Sequence, residues 1–372
     1  MGMAQVVILC LMAVSVGLSA WAIARDVPPV WRFAVPGAVP TEGDPAFETV
    51  FEYDVGEGQA HSASVVVTEG GFDVLWFEGS QEAQADVDIH GAAFRQGSEG
   101  WQAAGRDVRI TRAALGEAMD PPQLVVTLGN TVENEAKRGH VFATVVSVGG
   151  WAMASVADVE MGAAGPVRAR KLTLSPFLNR SHLVKSPMVQ FADGSMGLPA
   201  YFEMGAAHGA LVRFGPGGRV RDTARMIGAG QPIQPMIVPL GENRAVAWLR
   251  DFAPSGKLLV SHTEDGGQNW SEVVASDMPN PSAPVAALPL GGGRILMAAN
   301  DDPGGGDRLR LLLSEDEGDS WRVLRELEPN GAGARYPMLR RLKGGGIALV
   351  YSVGNKTGLR AHVLNGAWVA AQ

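Results

Sequence analysis

The sequence predicts an all-β fold, a propeller of six four-stranded blades, preceded by one apolar helix. Three observations predict it. From about Phe47 onward, runs rich in Val, Leu, Ile or Ala alternate with turns holding Gly, Asp or Asn. Units of this kind recur roughly every 50 residues, and no segment after the leader keeps a 3.6-residue apolar period over three turns. Thr111 to Ala118 is the one short helical candidate.

The first element is a leader, Val6 to Ala24, 19 residues without a charge, long enough to span a bilayer as one helix. It fits an uncleaved anchor or an export signal. Ala22-Ile23-Ala24 before Arg25 is a small-x-small cleavage site, whereas the segment ahead of the apolar run has no Lys or Arg. Either way the expected location is outside the cytoplasm, periplasmic or extracellular, with residues 6–24 as the inner-membrane anchor if they are retained. Residues 1–25 therefore read as signal or anchor, 26–46, with Pro28, Pro29 and Pro36, as a linker, and 47–372 as the propeller.

Within the body, Ser64 to Thr68, the turn Glu69-Gly70-Gly71, and Phe72 to Phe77 form the first clear hairpin. Similar units centre on Asp193-Gly194, Gly241-Glu242-Asn243, Gly291-Gly292-Gly293 and Gly344-Gly345-Gly346. Thr263-Glu264-Asp265-Gly266-Gly267-Gln268-Asn269-Trp270 and Ser314-Glu315-Asp316-Glu317-Gly318-Asp319-Ser320-Trp321 share the pattern Ser/Thr-x-Asp-x-Gly-x-x-Trp, and their tryptophans lie 51 residues apart. Hydroxyl and carboxylate can bond backbone amides across a tight turn, Gly supplies positive φ, and Trp packs beneath. About 325 residues at some 52 per blade give six blades.

Composition narrows the function. The chain has 372 residues, 46% apolar and 19% charged, which places it among folded globular proteins. Lys and Arg number 31 against 39 Asp and Glu, a net charge of −8, the wrong sign for a general nucleic-acid binder. Cys10 is the single cysteine and lies in the leader, so the body has no disulfide partner and no cysteine metal site. The seven histidines form no HxH or HExxH pair, so metal catalysis finds no support and no cofactor is expected.

The two turn motifs resemble the Asp boxes, or BNR repeats, of sialidases, and the chain is similar to the predicted exo-sialidase branch of BNR proteins. The residues that carry this likeness are His61, Trp76 to Glu82, Asp86 to Ile89, Lys185-Ser186-Pro187, Gly197 to Glu203, Gln234-Pro235, Leu249-Arg250-Asp251, Asn300-Asp301 and Tyr336-Pro337. The resemblance implies a six-bladed catalytic propeller and a glycan or small acidic sugar as substrate. It also implies a retaining mechanism in which a tyrosine paired with a glutamate attacks the anomeric carbon. Tyr336 is the expected nucleophile, Glu203 its base, and one of Glu82, Asp86 and Asp88, with Asp86 preferred, the acid. The sugar carboxylate calls for guanidinium forks: Arg250, Arg213 and a third place contested by Arg335 and Arg308. Lys185 adds charge, His61 is weighed for a pocket role, and Gln234, Asn280 and Asn300 could bond sugar hydroxyls. No Phe/Tyr-Arg-Ile-Pro segment follows the leader, and Trp31-Arg32-Phe33-Ala34-Val35-Pro36 is only faintly similar to it, so the first arginine of the triad that the resemblance implies is unplaced. Three readings follow: a sialidase-like hydrolase, a non-catalytic membrane-tethered carbohydrate-binding or scaffold propeller, and another glycosidase or lyase on the same scaffold.

Overall fold

A computed structural model describes residues 2–26, 28–98, 100–174, 181–215, 217–253, 255–304 and 307–372. The chain divides into two units, residues 1–30 and 31–372. The first holds helix Met3–Arg25, apolar and long enough to cross a membrane.

The second unit is a six-bladed propeller. Blade 1 is built from Gln59–Thr68, Gly71–Gly79, Asp88–Gly97 and Gly100–Ile110, and blade 2 from Thr127–Glu133, His140–Val146, Ala154–Gly162 and Gly165–Lys171. Blade 3 opens with His182–Val184 and Val189–Gln190, followed by Met196–Phe202, His208–Phe214 and Val220–Met226. Blade 4 comprises Pro232–Pro239, Ala245–Asp251, Lys257–Thr263 and Val274–Pro279, and blade 5 comprises Ala286–Gly291, Arg294–Ala299, Leu309–Ser314 and Arg322–Glu328. Blade 6 takes Arg335–Arg341, Ile347–Val353 and Gly358–Leu364 from the C-terminus and its outer strand, Phe47–Asp54, from the N-terminal side. That strand runs antiparallel to the last one, from Phe47 opposite Leu364 to Asp54 opposite Gly358, and closes the ring.

Every blade is an antiparallel meander, and the first strands of neighbouring blades touch around the axis. The apolar core lies in wedges between blades, such as Trp76, Phe72 and Phe94 against Val350 and Ala361 between blades 1 and 6. A blade packed on both faces has no solvent side over much of its length. This is why Pro232–Pro239 is buried throughout rather than alternating. The expected short helix forms as Arg112–Ala118, capped by Thr111, whose hydroxyl accepts from the Ala114 amide at 3.1 Å. A second one, Gly366–Ala371, capped by Asn365, is too short for its periodicity to show in sequence.

The two repeat motifs form the turns between the third and fourth strands of blades 4 and 5. Thr263 Oγ1 donates to Asp265 Oδ1 at 2.9 Å and accepts from the Gly267 amide at 3.0 Å, while Asp265 accepts from the Asn269 backbone and side-chain amides. Ser314, Asp316, Gly318 and Ser320 repeat the same bonds.

The linker expected over 26–46 is not free along its length. Phe33 donates its amide to Glu242, the Arg32 carbonyl accepts from Ala192, and Val39 donates to Leu290, so the segment crosses the hairpin ends of blades 3, 4 and 5 as a strap. Arg341 of blade 6 then donates to the carbonyls of Gly37 and Ala38. Buried apolar side chains cause this docking: Phe33, 1% exposed, stacks on Phe191 at 5.2 Å, and Val39 enters the core between blades 5 and 6. Gly266 of the first repeat motif sits under the strap at φ +74°, where an added Cβ would lie 1.9 Å from the Trp31 carbonyl oxygen. Gly266→Ala is expected to lower the unfolding free energy by about 2–4 kcal/mol. Gly194→Ala, at φ +79° but with open space around it, should cost only about 1 kcal/mol. Urea melts of the two variants measure the difference.

Candidate active site

One end of the axis collects polar side chains from every blade. It is the end where first strands begin and second strands finish. Five non-glycine residues near the start of first strands have positive φ: Ser62 (54°), Ser181 (55°), Gln234 (52°), Ser282 (53°) and Tyr336 (60°), in blades 1, 3, 4, 5 and 6. Such a backbone costs on the order of 1 kcal/mol or more per residue and persists only where its surroundings enforce it. In blades 1, 4 and 6 it accompanies a register shift, between His61 and Ser64, Ile233 and Met236, and Arg335 and Met338, and such bulges re-aim side chains.

Tyr336 and Arg250 form the centre. Arg250 nearly ends the second strand of blade 4, and its Nη1 donates to the Tyr336 hydroxyl oxygen at 3.1 Å and to Gln234 Oε1 at 3.4 Å. Its Nε donates to Ser282 Oγ at 3.1 Å, and that hydroxyl donates to the Asp251 carbonyl at 2.6 Å. The guanidinium is thereby fixed in one plane with its charge directed at the phenol oxygen. Gln234 Nε2 donates to the hydroxyl of Tyr201, which is buried.

Glu203 follows the second strand of blade 3, its amide donating to Ser181. Burial raises its carboxyl above the ordinary value, Arg250 opposes that rise, and Glu82 adds to it. Tyr201 is pushed well up by burial and then by the charge of Glu203, with Tyr336 contributing less. Tyr336, Glu203 and Arg250 are therefore electrostatic neighbours of one buried phenol. Glu82 is held by a close Lys356 ion pair, and its amide donates to Gln59 at 2.7 Å.

His61 is 1% exposed, packs edge-on against Tyr336 with centroids 4.2 Å apart, and bonds Ser352 Oγ through Nδ1 at 3.1 Å. Burial, then Lys356, Lys185 and Arg250, keep its pKa well below the usual histidine value, so it is neutral. Lys185, 3% exposed, donates to the Pro337 carbonyl at 3.2 Å, and burial lowers its pKa to about 7. Ser62 donates to Asn130 Oδ1 at 2.6 Å and Asn130 donates to the Val184 carbonyl at 3.0 Å, which ties blades 1, 2 and 3 together.

The structure thus brings Tyr336, Glu203, Arg250, Gln234, His61, Lys185 and Glu82 to one place. It does not bring Arg213 there. Arg213 pairs with Gly197 at the opposite, hairpin end of blade 3, fully buried, bound to Asp193 at 2.9 Å and lying 3.3 Å over the Phe191 ring. Asp86 is exposed, and its carboxylate turns back to accept from the Ser80 amide and hydroxyl, each at 3.0 Å, which closes its own loop. Asn300 is buried as a tie between blades 5 and 6, donating to the carbonyls of Arg308 and Ala334, and Asn280 donates to the Asn300 carbonyl. Arg335 stands beside Tyr336 but reaches the Pro281 carbonyl at 3.3 Å, and Arg308 faces Glu326 on the outer strand. Sequence gives no sign of Ser282, Asn130, Ser352 or Lys356 at this site, and it gives Tyr201 only as part of the Gly197 to Glu203 likeness, with no role. Tyr201 is hidden in an apolar strand, and the rest carry no motif.

A family model for the BNR repeat-like domain matches residues 70–349, three quarters of the chain. The chain belongs to the BNR repeat-like family. Among solved structures, this BNR protein is similar to a protein of unknown function from Dyadobacter fermentans, at 12% identity and TM-score 0.63, covering 86% of this chain and 99% of that one. It is also similar to a Hadza microbial sialidase, at 14% identity and TM-score 0.62, covering 83% and 68%. A third is the intramolecular trans-sialidase from Ruminococcus gnavus, at 12% identity and TM-score 0.61, covering 86% and 98%. At such identities the likeness is one of fold. No curated protein matches the chain.

Proposed function

We propose that this BNR propeller is a retaining glycoside hydrolase of sialidase type that removes terminal acidic sugars from glycans outside the cytoplasm, with helix Met3–Arg25 as export signal or anchor. The observation that carries the reading is the Arg250 guanidinium donating to the Tyr336 hydroxyl oxygen, with Glu203 close enough to feel the Arg250 charge and its basicity raised by burial. Tyr336 gives its proton to Glu203 while its oxygen attacks the anomeric carbon, and the leaving oxygen takes a proton from a carboxylic acid. Water then displaces the tyrosine with that carboxylate as base, and two inversions retain configuration. A phenol is neutral when it meets a centre that already bears a carboxylate, and Arg250 supports the charge that develops as the proton departs.

The acid assignment moves from Asp86, which is committed to Ser80, to Glu82, which lies close enough to act electrostatically on Glu203 and would have to leave its Lys356 ion pair to carry the proton. Glu82→Gln is expected to slow cleavage of 3′-sialyllactose about 100-fold. It should slow a methylumbelliferyl sialoside far less, since that leaving group departs without a proton, and Asp86→Asn should change neither rate by more than about threefold. Steady-state rates on the two substrates check both. The primary test is release of methylumbelliferone from 4-methylumbelliferyl N-acetylneuraminic acid by protein beginning at Asp26, which keeps the strap. No turnover would favour the binding-module reading, which is also supported by Arg250 being the single guanidinium at the centre among the described residues.

A further inference from the structure

The groups available to hold an anion at the axis differ in kind. Among the described residues one guanidinium, that of Arg250, reaches the centre, since Arg213 lies at the other end of its blade and Arg335 is turned to Pro281. The other two nitrogen groups, of Lys185 and His61, are buried and carry no ion pair among the described residues. Lys185 Nζ makes one bond, to the Pro337 carbonyl, which leaves two N–H directions. His61 Nε2 is buried without a hydrogen-bond partner among the described residues. Its tautomer follows from the network. Ser352 Oγ accepts from the Ser62 amide at 3.0 Å, and His61 Nδ1 is the one acceptor within reach of its own proton among the described residues; with the hydroxyl so turned, the ring hydrogen sits on Nε2 as a donor. An unpaired donor so deeply buried is costly unless a ligand accepts from it.

Resting on the acidic-sugar reading above, we infer that Lys185 is a proton-gated binding residue. It takes up a proton as the ligand's carboxylate enters and, with Arg250 and the His61 Nε2–H, holds that carboxylate, so affinity for acidic sugars falls as pH rises above neutrality. Burial leaves the free amine close to half-protonated near pH 7, and a carboxylate beside it would favour the ammonium. Among the described residues, the other ionisable groups at this end of the axis include His61 from blade 1, His182, Tyr201 and Glu203 from blade 3, Arg250 and Asp251 from blade 4, Arg335 and Tyr336 from blade 6, and the Glu82–Lys356 pair; blade 2 presents the uncharged Asn130. His61 is held well below the usual histidine value and Tyr201 well above the usual tyrosine value.

The test is calorimetric binding of N-acetylneuraminic acid between pH 6 and 9, in two buffers of different ionisation enthalpy. The wild type should weaken by up to about tenfold per pH unit above 7.5 and take up close to one proton per ligand at pH 8. Lys185→Met should bind weakly with no proton uptake, and Lys185→Arg, permanently charged, tightly and without pH dependence. A wild-type affinity flat from pH 6 to 9, with binding still lost in Arg250→Ala, would overturn the gate and leave the acidic-sugar reading standing. Absence of binding by the wild type at every pH would overturn that reading and the gate with it.

Discussion

Tyr336→Phe is expected to reduce kcat on 4-methylumbelliferyl N-acetylneuraminic acid by at least about 1,000-fold, with the melting temperature within a few degrees of wild type. The change removes one oxygen and keeps the ring, so the edge-on contact with His61 survives. The deleted atom is the one that Arg250 Nη1 reaches at 3.1 Å. If the oxygen is the nucleophile, no covalent intermediate forms, and the rest of the site cannot substitute for it. A Tyr336→Phe protein that turned over at even a tenth of the wild-type rate would remove Tyr336 from the mechanism. Trapping with a 2,3-difluorinated sialic acid, followed by peptide mass analysis, gives a second readout, the modified peptide carrying Tyr336.

The next largest effect is expected from Arg250→Ala, a loss of about 100- to 1,000-fold in kcat/KM, consistent with truncating a partly buried charge-assisted network. Arg250 contacts Tyr336, Gln234 and Ser282 together, so both parameters should fall: KM because the carboxylate loses its permanent cation, kcat because the phenol oxygen loses its donor. Arg250→Lys keeps the charge but not the fork, and it should recover KM more than kcat. Equal activity of Arg250→Ala and wild type would place the carboxylate site elsewhere. Glu203 loses its opposing cation in the same variant. Its pKa then rises further, and the acid limb of the pH profile moves to higher pH.

Much of the fold was legible because its signals are local. Turn glycines, alternating strands and the hydroxyl–Asp–Gly–Trp motif each act within about ten residues. The site was less legible because it is assembled across blades, as with Lys356 and Glu82, 274 positions apart. Two errors have a geometric origin. Arg250 nearly ends a second strand and Arg213 nearly ends a third, and since successive strands are antiparallel these ends lie on opposite faces. Counting strands within the blade would have separated them. Asp86 looked like a free carboxylate beyond a strand, but Ser80, six residues earlier, offers it an amide and a hydroxyl, and short loops favour such local closure. The positive φ of Ser62, Gln234 and Tyr336 has no sequence signature at all, since none is the glycine that such a backbone usually selects.

The pairing of Phe47–Asp54 with the last strand has a consequence for how the molecule comes into being. Phe47 meets Leu364, so the first strand made during synthesis waits for the last, and the entropy of closing so long a loop falls on the final step. Until then blade 6 presents an unpaired edge, the kind of surface that recruits other chains. A copy truncated by its final 15 residues lacks the strand Gly358–Leu364 that joins the two ends. The clasp thus works as a completeness check: a chain cut short cannot close its ring, and its open edge exposes it to proteolysis.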